Sequence, residues 1–520
     1  MLVAVHNSAT RPSQSISMSE RTTPQSQPSA AAQVQGDRAE PRPMSTVTVS
    51  ARPRILYVTP EMADYVKVGG LGDVSAAFPR ALRDHCEVRV LIPGYRSVIG
   101  RHGDIPVVGY LPAAHGIPAC RIGRVTAADG LVIYILLCPE LFEREGTPYA
   151  DSAGRDWADN DVRFARLSLA AADFAAGLGD PNWRPNFLHL NDWPTALAAG
   201  YVAWRGLSVP TLLTIHNLAY QGLFDPHRLG LLGIPTDSFR MDGVEFYGKL
   251  SFLKTGIFYS SHLTTVSETY AREVTQSEYG CGLDGLLRIR AQQGRLTGIL
   301  NGIDDNWDPQ ATSEAKRFQP GRWKNRHAQQ VRKAFGLALS DGPLFAIVSR
   351  LVHQKGVDLA IEAAEHIVAA GGQLVVTGRG EARFEHAIQG LAGRHPEAVG
   401  ARIGFDEAEA RKMFAGSDFL LMPSRFEPCG LSQMYAQKFG SLPIAHRTGG
   451  LADTIDDGHT GFLFGDLTVR SFAHAIGRAL DAYRSKPRLR DMRRSAMARS
   501  FSWSQSAAQY ATLYRSAQPA

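Results

Sequence analysis

The chain has 520 residues, more than one hydrophobic core usually organises, so two domains are expected. Hydrophobic residues at 44% and charged residues at 20% are ordinary globular values and exclude a fibre or a wholly disordered chain. The formal charge of +6 comes from 56 basic and 50 acidic residues spread along the chain, without a long basic run interleaved with aromatics, which argues against nucleic acid as a partner. Cys86, Cys120, Cys138, Cys281 and Cys429 form no C-x-x-C pair, as expected of a reducing compartment without structural disulfides or a zinc knuckle. No apolar run is long enough for a membrane span, and the N-terminus lacks the apolar core of a secretory signal; a soluble, cytoplasmic protein is expected.

Residues 1–50 are rich in Ser, Thr, Gln, Pro and Ala and read as a disordered tail, because they bury too little surface to offset their ordering entropy. Arg11, Arg21, Arg38 and Arg42 in this Ser-rich stretch also fit an organelle transit peptide, against which Glu20, Asp37 and Glu40 weigh. Met18 and Met44 are alternative starts. From Arg54 a strand runs to Val58, and Lys67-Val68-Gly69-Gly70-Leu71-Gly72-Asp73 then opens into a helix through Ala76, Ala77 and Leu82. Further strands are expected at Val88 to Ile92, Leu131 to Leu137, Phe187 to Leu190, Leu212 to Ile215 and Leu263 to Val266, with a helix over Val162 to Leu178. After a polar connection around Asn306 to Arg332 the alternation resumes with strands at Leu344 to Val348, Leu374 to Thr377, Ala401 to Gly404, Phe419 to Met422 and Leu442 to Ala445. Helices are expected from about Asp358, Asp406 and Gly430. Alternation of this kind predicts an α/β fold of two Rossmann-like domains with a cleft between them. The expected division is 51–305, a linker over 306–340, 341–500, and a C-terminal helix over 501–520 that crosses back to the first domain.

Two basic segments follow strands and so lie at the carboxyl edge of a parallel sheet, where α/β proteins bind ligands. In the first, Gly69, Gly70 and Gly72 allow close backbone approach and leave amides free at a helix start, with Lys67 adding a charge. Alone, such a glycine turn is more often structural. In the second, Arg350 and Lys355 of Ser349-Arg350-Leu351-Val352-His353-Gln354-Lys355-Gly356 offer a planar fork and a mobile ammonium to phosphate oxygens; singly they are equally two solvated charges. Glu427, in Pro423-Ser424-Arg425-Phe426-Glu427-Pro428-Cys429-Gly430-Leu431, precedes a helix and suits either sugar hydroxyls or the helix dipole. Cys429 has no evident partner base and reads as a packed small residue. Asp159-Asn160-Asp161 has the D-x-D form of metal-dependent transferases, but it precedes a helix and is expected to cap it.

Lys67-Val68-Gly69-Gly70-Leu71, Ser349-Arg350-Leu351 with Gln354-Lys355-Gly356, Glu427-Pro428-Cys429-Gly430-Leu431 and Thr448-Gly449-Gly450-Leu451-Ala452-Asp453-Thr454, in this order, resemble the bacterial glycogen and plant starch synthases. The likeness runs from about Arg54 to Tyr514 and includes Phe501-Ser502-Trp503. It implies a GT-B fold and a retaining transferase that moves glucose from ADP-glucose to the non-reducing end of an α-1,4-glucan such as glycogen, with no cofactor and no metal site. It also implies that Lys67, Arg350 and Lys355 hold the diphosphate, and that Glu427 with the amides of Cys429 and Gly430 grips the donor glucose, next to Gly69, Gly70 and Leu431. His216, in Thr214-Ile215-His216-Asn217, would lie under the reacting sugar, and Asp192, Tyr149 and Asn301 would border the donor or acceptor. Asp73 would support the glycine loop. Val68 and Asn191 stand where many relatives carry Thr and His, and Tyr435 takes the place of a second glutamate common in related transferases. A monomer or weak homo-oligomer is expected. The alternatives are a glucan-binding regulatory protein on the same fold and a UDP-glucose-dependent enzyme. A dehydrogenase is disfavoured because no G-x-G-x-x-G follows the first strand.

Overall fold

A computed structural model describes residues 52–309, 320–404 and 406–516, so the tail expected over 1–50 lies outside the described residues. The strands in chain order are β1 (Arg54–Val58), β2 (Glu87–Pro93), β3 (Val107–Leu111), β4 (Cys120–Thr126), β5 (Val132–Leu137), β6 (Phe187–Asn191), β7 (Thr211–Ile215), β8 (Leu223–Phe224), β9 (Glu245–Phe246), β10 (Lys249–Ser251), β11 (His262–Thr265) and β12 (Leu296–Gly298). Nine of them form one sheet in the order β12-β11-β7-β6-β1-β2-β5-β4-β3, and β8, β10 and β9 form a small separate one. The large sheet is parallel except that β4 runs antiparallel to both β5 and β3. Its middle strands are short apolar runs, and β6 and β7 are buried at every residue. Both faces are therefore covered by helices, as a parallel sheet requires.

A second sheet is made of β13 (Leu344–Val348), β14 (Gln373–Gly378), β15 (Val399–Ile403), β16 (Phe419–Met422), β17 (Leu442–His446) and β18 (Phe462–Phe464). Its order is β15-β14-β13-β16-β17-β18 and all its pairs are parallel. Strand order reverses beside β1 in the first sheet and beside β13 in the second, and ligands bind at the carboxyl ends of strands beside such reversals.

Three expectations need correction. Strands β3 and β4, at one end of the first sheet, fall outside the expected set, because Arg121, Gly123 and Arg124 interrupt the apolar pattern of β4. The strand expected at Ala401 to Gly404 begins earlier, at Val399. The polar connection also contains a 16-residue helix, Pro320–Phe335. That helix is anchored by a buried lysine: Lys324 Nζ donates to the carbonyls of Phe414 at 2.9 Å and Phe439 at 3.1 Å. A lysine in a polar run looks like a solvated face until its carbonyl partners are in place.

The helix Trp503–Ser516 packs into the core around the first sheet, with Trp503, Ala507, Tyr510 and Tyr514 buried there beside Phe78. Tyr514 OH and His189 Nδ1 are 2.6 Å apart, which ties this helix to β6. The chain thus leaves the first lobe after β12 and returns to it at residue 502, where Ile303 N donates to Phe501 O at 2.8 Å and Ile303 pairs with Ser502.

Candidate active site

The loop after β1 carries Glu61, a buried acid with no sequence pattern to mark it. Its Oε2 accepts from Val68 N at 2.7 Å and Gly69 N at 3.1 Å, and its Oε1 from Tyr149 OH at 2.6 Å. The glycine pattern predicts a free Gly69 amide, but a buried carboxylate from the same loop already occupies it. Lys67 Nζ pairs with Asp73 Oδ1 at 2.7 Å, within the glycine segment. Burial raises the Asp73 carboxyl above its usual range despite that partner. Gly70 opens the helix Gly70–Leu82, and a Cβ there would stand 3.9 Å from Leu431 Cδ1 of the second lobe.

The ends of β6 and β7 supply a second cluster. Asp192 follows β6 with φ of 55°, a conformation rare outside glycine, and its Oδ1 accepts from His216 N at 2.7 Å. Burial pushes the Asp192 carboxyl up to about 7, against the pull of the His216 and Asn217 amides. His216 Nε2 lies 3.0 Å from Asn191 Oδ1, and burial holds the imidazole neutral by lowering its pKa to about 3.

In the second lobe, β13 leads into Arg350 and the short turn His353–Lys355. Gly356 follows with φ of +64°, and a Cβ there would meet Pro423 O at 1.9 Å, so only glycine lets this turn close on the loop after β16. That closure sets Lys355 Nζ 2.5 Å from Glu427 Oε2, which also accepts from Ser424 Oγ at 3.0 Å. Arg350 is held loosely, reaching Tyr220 OH at 3.4 Å and Gln354 Oε1 at 3.5 Å. Gly430 sits at φ of 70°, and Gln433 Nε2 ties down the carbonyls of Cys429 at 2.9 Å and Gly430 at 2.8 Å. The Cys429 thiol, against Asn301, is pushed up to about 12 by burial, which suits packing and not nucleophilic attack.

The segment from Thr448 to Thr454 backs this loop. Gly450 N donates to Glu427 O at 3.0 Å, and a Cβ on Gly449, whose φ is +43°, would meet the same oxygen at 1.9 Å. Its other side meets the first lobe: Glu273 Oε1 accepts from Thr448 Oγ1 at 2.9 Å and Gly449 N at 3.0 Å, and Asp453 Oδ2 from Thr269 N at 2.9 Å. Ser267 Oγ donates to Pro428 O at 2.6 Å. The structure therefore brings Gly70 to Leu431, Asn301 to Cys429, Arg350 to the first lobe and Lys355 to Glu427. Tyr149, Asp192 and His216 belong to the first lobe's own cluster with Glu61.

Asp159-Asn160-Asp161 does not act as expected. Asp159 stands before the helix Asn160–Ala175 without a side-chain cap, because its carboxylate is taken by Arg144 at 2.7 and 2.8 Å. Asn160 Nδ2 donates to Tyr149 O at 2.9 Å, and Asp161 accepts from Arg228. The place of the second glutamate, Tyr435, stacks on Trp307 with ring centroids 3.8 Å apart.

Residues 54–289 match the family profile described as the starch synthase catalytic domain, and residues 342–482 that of glycosyl transferases group 1. Glycogen synthase 1 of Bradyrhizobium diazoefficiens is 56% identical over 457 residues, covering 87% of this chain and 99% of that protein. Glycogen synthase of Pseudomonas putida is 57% identical over 464 residues, 89% of either chain. The solved catalytic domain of starch synthase IV from Arabidopsis thaliana, bound to ADP and acarbose, is similar with a TM-score of 0.77 and 30% identity, covering 90% of this chain and 99% of that one. Sucrose-phosphate synthase from Thermosynechococcus elongatus, with a TM-score of 0.54 and 16% identity, shares the fold alone. The chain belongs to the glycogen synthase family and has the two-domain GT-B glycosyltransferase fold.

Proposed function

We propose that this chain transfers glucose from ADP-glucose to the non-reducing end of an α-1,4-glucan with retention of configuration. The observation that carries the reading is the Lys355–Glu427 pair at the strand ends beside the reversal point of the second sheet. Departure of the nucleoside diphosphate leaves negative charge that must be met by fixed cations. Arg350 and Lys355, with Lys67 from the other lobe, are the candidates for that work. Glu427 and the Cys429 and Gly430 amides take the donor glucose. In this reading Lys355 turns from Glu427 to phosphate when the donor arrives, which frees the carboxylate for sugar hydroxyls. The neutral His216, anchored through Asp192, offers a carbonyl and a bare ring nitrogen to the positive charge developing on the sugar, while Tyr149 and Asn301 border the donor or acceptor.

ADP is favoured as the nucleotide because the similar starch synthase IV was solved with ADP. Residues 51–305 would then serve the acceptor side and 341–500 the nucleotide sugar. Release of ADP on mixing the protein with ADP-glucose and glycogen is the expected outcome. Faster turnover with UDP-glucose would overturn the nucleotide assignment, and no turnover with either donor would leave a glucan-binding protein.

A further inference from the structure

Asn191 is 1% exposed at the carboxyl end of β6. Its Nδ2 donates to the main-chain oxygen of Val58, the last residue of β1, at 2.9 Å. That contact fixes which way the amide faces, because the reverse orientation would set Oδ1 against another carbonyl oxygen. Oδ1 is thereby directed at His216 Nε2, 3.0 Å away. An amide oxygen only accepts, so Nε2 must carry the ring proton and Nδ1 must be the bare nitrogen. The main chain that carries the ring is itself fixed, its N–H being held by Asp192 Oδ1 at 2.7 Å.

We propose that Asn191 is a positioning residue that locks His216 in the Nε2–H tautomer, so that the sugar meets a hydrogen-bond acceptor at Nδ1 and never a donor. The role of the sugar here rests on the function proposed above; the tautomer itself does not. The choice reaches Asn191 through β1, since the Val58 carbonyl sets the amide that in turn sets the imidazole.

The test uses the full chain labelled with nitrogen-15 in its histidines, the His216 ring signals being assigned by their loss in His216→Gln. Long-range proton–nitrogen correlation spectra between pH 6 and 8 are expected to show His216 Nε2 protonated and Nδ1 bare. Asn191→Leu, which keeps the volume and removes the acceptor, is expected to give a tautomer mixture and to lower turnover about tenfold, the loss of roughly one hydrogen bond's worth of transition-state stabilisation, at little-changed donor KM. Asn191→Asp retains an acceptor oxygen and is expected to retain the Nε2–H tautomer, which keeps the proposal testable if the leucine variant does not fold. A protonated Nδ1 in the parent chain, or an unchanged tautomer in Asn191→Leu, overturns the proposal. A locked tautomer in a chain without transferase activity would support the lock and sink the proposed function instead.

Discussion

Lys355 Nζ and Glu427 Oε2 stand 2.5 Å apart, joining the loop after β13 to the loop after β16, and the two side chains are only 17% and 6% exposed. Removing the lysine alone leaves a buried carboxylate that has lost its cation and keeps the Ser424 hydroxyl as a hydrogen-bond donor. Lys355→Met is therefore expected to cost about 3–5 kcal/mol of stability and to lower turnover roughly a hundredfold to a thousandfold. Adding Glu427→Gln should restore much of the stability and none of the activity. Urea unfolding and ADP release on the two single variants and the double variant check this; additive losses of stability would refute the coupling.

Arg350 presents the opposite case. Its contacts, at 3.4 and 3.5 Å, are long and exposed, and contacts of that kind contribute little to folding. Arg350→Ala should melt within about 2 °C of the parent chain. Its turnover should nevertheless fall about a hundredfold if the guanidinium meets diphosphate. A variant with unaltered kinetics would remove Arg350 from the proposed site.

Gly449 tests whether the Thr448 to Thr454 segment shapes the Glu427 loop. An added methyl would lie 1.9 Å from Glu427 O at a positive φ, so Gly449→Ala must displace the loop or unfold its own turn. A loss of roughly 2 kcal/mol or more, together with near-complete loss of turnover, is expected. Gly465→Ala, where nothing lies within 4 Å of the added atom, serves as the neutral control.

Much of this arrangement was legible in the sequence, and the exceptions share a cause. Runs such as Leu344–Val348 and Phe419–Met422 announce buried parallel strands because both faces are apolar. The glycine, Arg350–Lys355 and Glu427 segments were legible because they sit next to those strands. Glu61 was not: a lone acid in a short loop carries no pattern, and its meaning comes from amides seven and eight residues on and a tyrosine 88 residues away. Lys324 was hidden in the same way by partners far along the chain, and the Asp159 cap failed because Arg144 competes better for the carboxylate than a backbone amide does.

Asp192 should leave a mark on stability. Its native pKa, raised by burial to about 7, lies above the ordinary carboxylate value, so the folded state binds the proton more tightly than the unfolded one. The stabilising contribution is complete below about pH 4 and is lost as pH rises towards 7, a span worth at most about 4 kcal/mol. Asp192→Asn keeps an oxygen for the His216 amide and has no charge to desolvate. It is expected to flatten this slope and to be more stable than the parent at pH 8. Urea midpoints at pH 5 and pH 8 decide the matter, and equal slopes in the two proteins would count against it.

The paired crossings at Ile303 and Ser502 limit what the second lobe can do. A body hung from one segment can swing and spin, but one hung from two adjacent segments joined by a hydrogen bond behaves like a leaf on two neighbouring pins. Rotation about the line through the pins stays easy, whereas twist and sliding pull the two segments against each other. The register in which Arg350 meets Tyr220 and Leu431 faces Gly70 is then supplied by the scaffold itself.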